Sequence, residues 1–415
     1  MPIHAQHRLQ STRQLLAYGL LALGLQAVQA TNGAFLAPYL ESLGTDPFWI
    51  SVILSLDPIT CIFAVPWLNG WSDRLNSRWG RRLPFIAVGL LLAAASMASI
   101  AVASGPGQIA AGMVLLYVGT SAVWGPYRAT LGEIVAPERH TTATGLQGLC
   151  QGIGTLVAMG GGGLLLAYGP GWPFWQAALV LIIGGVITVG TMHRPARLVQ
   201  VPPRPTTRFR DMFRQARDLH WLLAAQTCWW AAMSGVIAFA VLFVTHEILG
   251  IPHLSASAGH GATRQAVGIL LLFAVVSMLA AIPCGRLANS LGKVRVLRWG
   301  LLVLLVGMIV ALLATDLTSL RLGIVCCGIG FAAVQVIPLA LYTELQPPGH
   351  EGAVMTLLGV FTDAPLMVGY LLEGWLIAST GSYRVPFALG SVLILAAWIC
   401  LGRLRPASST VVAEF

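Results

Sequence analysis

Charged side chains are scarce in this chain. They make up 9% of its 415 residues, against 56% hydrophobic ones, where a water-soluble domain carries about 25% charged residues. So few charges cannot cover a surface that faces water, which excludes an ordinary soluble domain and leaves lipid as the main solvent. Acidic residues are the scarcer sign, with 15 Asp and Glu against 24 Lys and Arg and a net charge of +9. Signatures of chemistry are missing as well. No Gly-x-x-x-x-Gly-Lys-Ser/Thr phosphate loop is present, so ATP does not drive the protein directly. The absence of His-Glu-x-x-His and of a Cys-x-x-Cys set removes the usual marks of a hydrolase or metalloenzyme. No enzymatic activity and no cofactor are therefore expected, and an ion gradient remains as the source of power. Cysteine is absent from the short outer loops. Cys61, Cys150, Cys228, Cys284, Cys326, Cys327 and Cys400 all fall in apolar runs or at their ends, where cysteine is a small packing residue and not part of a disulfide framework.

Apolar runs are what the chain has in abundance. Twelve are long enough to cross a bilayer, near 14–40, 47–69, 84–104, 108–129, 142–168, 171–192, 220–249, 265–287, 296–315, 319–345, 351–379 and 382–402. Lipid leaves backbone groups no outside partner, so each is expected to be a helix. The first run ends without a small-residue cleavage site and reads as a retained helix. Lys and Arg are unevenly shared between the two sides: 20 of the 24 lie in the N-terminal tail, the even-to-odd loops and the C-terminal tail. That bias places both termini in the cytoplasm. It also accounts for the basic charge without nucleic acid, because the arginines sit in short loops between apolar runs. The segment 193–219, with four prolines and seven arginines, reads as a solvated linker that contacts anionic lipid. The expected fold is an all-α polytopic membrane protein of 12 transmembrane helices in two six-helix bundles, 1–192 and 220–415, the layout of the major facilitator fold.

A duplicated loop supports two halves. Gly70-Trp71-Ser72-Asp73-Arg74-Leu75-Asn76-Ser77-Arg78-Trp79-Gly80-Arg81-Arg82 has a weaker copy in Gly285-Arg286-Leu287-Ala288-Asn289-Ser290-Leu291-Gly292-Lys293-Val294-Arg295, starting 215 residues later. The first loop, continued by Leu83-Pro84-Phe85-Ile86, resembles that of the plant-type sucrose–proton symporters, in the glycoside–pentoside–hexuronide branch of the major facilitator superfamily. Ala37-Pro38-Tyr39-Leu40, Gly125-Pro126-Tyr127-Arg128-Ala129 and Gly328-Ile329-Gly330-Phe331 extend the resemblance over most of the chain. It implies a proton-coupled transporter of a sugar or glycoside that works by alternating access, usually as a monomer, with a small-molecule or ion substrate, protons and membrane lipid as its partners. It also implies a cytoplasmic gate at Gly70, Asp73, Arg74, Arg78, Gly80, Arg81 and Arg82. In the second copy, Asn289 stands where the superfamily often has aspartate, so a charge-assisted hydrogen bond is lost there.

Ionisable groups inside spans are costly and mark function by default. Here they are Asp57, Arg128, Glu133, Asp363 and Glu373. Arg128 and Glu133 lie about 140° apart around a helix at their spacing of five, so they are not ideal partners of each other. The resemblance assigns the coupling proton to Glu133, in the place of an aspartate, with Arg128 to toggle it; a structural ion pair at the helix end is the plainer reading. Asp57, Asp363 and Glu373 read as substrate or cation ligands or as structural bonds between helices. These extra carboxylates depart from the sugar-transport pattern and leave open a metal-cation carrier, such as the iron transporters of magnetosome membranes. A membrane sensor or assembly factor on a transporter fold is the third reading. Trp124 is the preferred ring for stacking against a sugar. His246, His253 and His260 recur every seven residues and are weak metal candidates, since Gly250, Pro252 and Gly259 argue against one helical face. The run Gly160-Gly161-Gly162-Gly163 reads as close helix packing or bending. The expected location is a prokaryotic inner membrane or an invagination of it.

Overall fold

The computed structural model describes residues 11–74, 82–135, 139–192, 217–251, 259–345 and 351–404. Twelve helices in it are long and apolar enough to cross a membrane. We number them α1 (Thr12–Ser42), α2 (Pro47–Arg74), α3 (Leu83–Ala101), α4 (Pro106–Ile134), α5 (Thr142–Tyr168) and α6 (Trp172–Met192). The second six are α7 (Asp218–Ile248), α8 (Gly259–Leu291), α9 (Lys293–Leu313), α10 (Leu317–Leu345), α11 (Glu351–Thr380) and α12 (Val385–Gly402). The expectation of an all-helical, twelve-span protein holds. Residues 193–216, which include most of the expected linker, lie outside the described residues.

The chain packs as two compact units. One gathers α1 to α6 with Ile237–Leu271 and Tyr370–Tyr383; the other gathers α7 up to Val236, Leu272–Gly369 and the segment from Arg384 onward. In the first unit, α1 is held by both α5 and α6. Thr188 on α6 donates to the Ala17 carbonyl at 2.8 Å and accepts from the Leu21 amide at 3.0 Å. A polar side chain that serves two backbone groups at once fixes the register of the two helices where lipid offers no alternative partner.

Small residues set the tightest contacts. On α3 and α4, a methyl placed at Gly119 would sit 2.8 Å from the Ala93 nitrogen, and one at Gly89 would sit 2.6 Å from the Gly119 carbonyl oxygen. In the second unit, α9 and α10 repeat the arrangement. A methyl at Gly330 would lie 2.5 Å from the Gly300 oxygen, and one at Gly307 would lie 2.6 Å from the Cys327 nitrogen. Gly112 and Gly119 are seven residues apart, and Gly323 and Gly330 repeat that spacing 211 residues later. The two helix pairs are thus built alike, with backbones in contact through glycine.

Among the described residues, three spans widen by one π-helical turn, at Asn32–Leu36 in α1, Val157–Gly161 in α5 and Val244–Ile248 in α7. Such turns interrupt regular packing and often sit at functional sites. Two of them meet. A methyl at Gly162 would lie 2.7 Å from the Phe35 ring, and one at Gly161 would overlap the Gln176 side chain. The glycine run of α5 therefore makes room for the widened turn of α1, as its packing role requires.

Overpacking a tight helix contact costs about 1–3 kcal/mol or more. Gly119→Leu and Gly330→Leu are each expected to lower the melting temperature of the purified protein or abolish its monodisperse elution. Gly268→Ala, where a methyl meets nothing within 4 Å, is expected to leave both unchanged.

Candidate functional site

The Gly125–Ala129 segment of α4 is anchored by a pair of tyrosines. Tyr18 of α1 and Tyr127 stack with ring centroids 4.6 Å apart. Each hydroxyl donates to the other residue's carbonyl at 2.8 Å. Both rings are fully buried, so the pair pins α1 to α4 one residue before Arg128. Arg128 then turns to the exposed side and lies over the Trp124 ring, 4.5 Å from its centroid. The ring chosen as a stacking surface thus already carries a guanidinium on one face, a cation–π contact. Glu133 falls in the last turn of α4, and its side chain lies outside the described residues.

Asp57 on α2 lies amid a set of polar groups from neighbouring helices. Cys61, one turn on, donates its thiol to Asp57 Oδ1 at 3.8 Å, and the Gln29 side chain of α1 also bonds to Asp57. Tyr117 of α4 is buried within electrostatic reach of Asp57, Cys61 and Tyr370. Asn32, the first residue of the widened turn in α1, is only 4% exposed. Its amide faces the Tyr117 hydroxyl, yet neither Nδ2 nor Oδ1 completes a well-formed hydrogen bond. An amide has two donors and two lone pairs, so Asn32 retains capacity that a solute hydroxyl matches. Gln29, Asn32 and Tyr117 escaped the reading of the sequence, which weighed charged groups, tryptophans and a glycine run within spans but no neutral amide or tyrosine. A lone Asn beside Gly33, ahead of Pro38, was the available mark.

The other candidates are placed as follows. Asp363 on α11 is partly buried, one residue from Thr362, which shares the Gln226 amide with the Leu358 carbonyl at 2.9 and 3.0 Å. Glu373 is fully buried. Its neighbour Gly374 is tight against α2, where a methyl would meet the Ser51 hydroxyl. Of the gate residues, Gly70, Asp73 and Arg74 continue α2, but their side chains lie outside the described residues, as do Arg78, Gly80 and Arg81 altogether. Arg82 is partly buried just before α3 and acts electrostatically on Tyr18. Asn289 is exposed near the end of α8.

His246 has a definite role in the fold. It lies in the widened turn of α7, with its Nε2 2.6 Å from Glu41 Oε1 of α1. Tyr383, from the loop after α11, donates to the same carboxylate oxygen at 3.1 Å and stacks on the imidazole with centroids 4.7 Å apart. Glu247 completes the cluster by accepting from the Tyr383 amide at 2.9 Å and from the Ser382 hydroxyl at 2.8 Å. Burial and the Glu41 charge push the Tyr383 phenol well above its usual range, so it stays protonated and remains a donor. His260 opens α8, and His253 lies outside the described residues. No three of His, Cys, Asp and Glu come together as a metal-holding group among the described residues. Glu41 and Tyr383 were invisible as partners of His246 in the sequence, being 205 and 137 residues away from it.

The sequence model of the Major Facilitator Superfamily matches residues 15–263 and 255–414. Among curated proteins, the chain is 32% identical over 165 residues to sucrose transport protein SUC4 of Arabidopsis thaliana, covering 35% of this chain and 32% of the relative. It is 27% identical over 177 residues to sucrose transport protein SUT4 of Oryza sativa subsp. japonica, covering 37% and 30%. It is 28% identical over 163 residues to proton-associated sugar transporter A of Homo sapiens, covering 36% and 22%. The matched stretch thus spans only about a third, or less, of each of these relatives. Solved structures share the fold over almost the whole chain. Nucleoside transporter NupG superposes with a TM-score of 0.75 at 13% identity, covering 95% of this chain and 100% of that one. A bacterial homologue of the iron transporter ferroportin, in an inward-facing state, gives 0.72 at 14% identity, covering 95% and 99%. With twelve spanning helices and a family match along nearly its whole length, the chain is an integral membrane protein that belongs to the major facilitator superfamily.

Proposed function

We propose that this protein is a secondary transporter that carries a small polar solute, sugar- or glycoside-like, together with protons by alternating access. The observation that carries this reading is the polar set of Gln29, Asn32, Asp57 and Tyr117, built into otherwise apolar spans. Intramembrane polar groups persist where they handle a solute or an ion. An amide with unused hydrogen-bonding capacity, as at Asn32, suits hydroxyl-rich neutral solutes, and a carboxyl within a span can take up and release a proton. The likeness to sucrose transport proteins and to a proton-associated sugar transporter supports the same substrate class. Glu133 and Arg128 hold the proton-coupling roles on the strength of the motif, with Asp57 as a second acceptor. The metal-carrier reading has less support: among the described residues, no three of His, Cys, Asp and Glu, Asp57 with Cys61 included, come together as a group that could hold a transition metal.

The basic-residue bias puts both termini in the cytoplasm and the Glu41–His246–Tyr383 cluster at the opposite face. There the cluster ties α1 of the first six spans to α7 and to the loop after α11, and so acts as an outer latch that opens when solute enters from that side. Short loops fit a prokaryotic inner membrane as the place of action.

Uptake into proteoliposomes with an imposed inward proton gradient tests the main reading. Labelled sucrose is expected to accumulate, to be lost on adding a protonophore, and to fall at least tenfold in Glu133→Gln and in Asp57→Asn. Ferrous iron uptake without sugar uptake would reverse the substrate assignment. For the latch, Glu41→Gln and Tyr383→Phe each weaken or remove a hydrogen bond to a carboxylate, worth about 1.5–3 kcal/mol. Each is expected to lower the melting temperature of purified protein by several degrees; an unchanged value would show that the cluster does not hold these elements together.

A further inference from the structure

The second copy of the basic loop lines a cavity. It has a volume of about 780 Å³ and lies where α8 ends, α9 begins, and α10 and α12 finish. Its wall includes Asn289, Gly292, Lys293, Arg295 and Arg298. Glu344 of α10 is the opposing charge and pairs with Lys293. Three cations therefore face one carboxylate.

Two details show a site open to an anion. Arg298 lays its guanidinium over the Trp398 ring, 4.5 Å from the centroid, while its Nε is buried with no hydrogen-bond partner. The N-terminus of α9 opens on the same cavity. Gly292 turns the chain there with φ of +94°, and no side chain caps the helix. The first amides of a 21-residue helix are thus left to whatever fills the space, and a helix start favours negative charge. A second face of the cavity is apolar and outward: Trp299 is 50% exposed and Leu302 37%.

We propose that this cavity binds the phosphate of an anionic phospholipid, with the headgroup between Arg295, Arg298 and the α9 N-terminus and the acyl chains along Trp299 and Leu302. The neutral Asn289 fits this use, since its amide donates to a phosphate that an aspartate would repel. Basic pockets between spans on the cytoplasmic side meet the leaflet richest in anionic lipid, and the arginine bias puts this loop on that side. The proposal does not depend on which solute is carried.

The test uses the full-length protein, purified in detergent and depleted of lipid. Thermal shift and native mass spectrometry are run with phosphatidylglycerol, with phosphatidylcholine of the same chains, and with glycerol 3-phosphate. Phosphatidylglycerol alone is expected to raise the melting temperature and to stay bound. Arg295→Gln and Arg298→Gln are each expected to weaken that binding about tenfold, the loss of one charge-assisted hydrogen bond. Arg286→Gln, at an exposed position outside the cavity wall, is expected to change nothing. Arg295 is exposed, so its variant reports even if Arg298→Gln unfolds. Equal binding of phosphatidylcholine, no loss in Arg295→Gln, or an equal loss in Arg286→Gln would overturn the site. Glycerol 3-phosphate binding as tightly as the lipid would overturn the lipid assignment and make it a pocket for a soluble phosphate.

Discussion

Hydrocarbon supplies no hydrogen-bond partner, and that constraint organises everything else in this protein. Each spanning segment must satisfy its own backbone, so the segments are helices. Side-chain polar groups must then find partners on neighbouring helices, and each such partnership fixes a register. Thr188 serving two backbone groups of α1 and the reciprocal Tyr18–Tyr127 bonds both place α1. They also hold the widened turn that carries Asn32 at a fixed depth and rotation. The polar set around Asp57 therefore depends on bonds made elsewhere along the same helix.

Within that frame, the polar groups divide by how completely they are engaged. Tyr18, Tyr127 and Thr188 spend their capacity on the protein. Asn32 does not, and Arg298 keeps one nitrogen in reserve in the second unit. Leaving such capacity unused in a buried place costs stability. A solute hydroxyl at the one and a phosphate at the other would each recover that cost.

Much of this was legible in the sequence, for a physical reason. Spans are written in hydropathy, and hydropathy is local, so the twelve helices and the basic loops could be read directly. Individual ionisable residues such as Asp57 stood out against apolar neighbours. Their surroundings could not be read, because contacts between helices join residues far apart in the chain. His246, His253 and His260 were only weak metal candidates by their spacing, and the engagement of His246 by Glu41 and Tyr383 could not be read, since neither partner is near it in sequence. The role of Arg128 above Trp124 depends on a rotation set by Tyr127 and its bond to α1. The glycine spacing shared by α4 and α10 was present in the letters, but only the distances show that it marks backbone contact.

Those glycines carry a consequence for how the gene can change. Every single-base substitution in a glycine codon that alters the amino acid yields a larger side chain. At Gly89, Gly119, Gly307 and Gly330 the space for even one carbon is taken by backbone atoms of the facing helix. Such positions have no neutral neighbours one mutation away, while the lipid-facing residues beside them exchange freely among apolar types. Gly154 and Gly184 meet the α1 backbone in the same way, so sequence drift in both halves is held back along these seams more than on the lipid-facing surface.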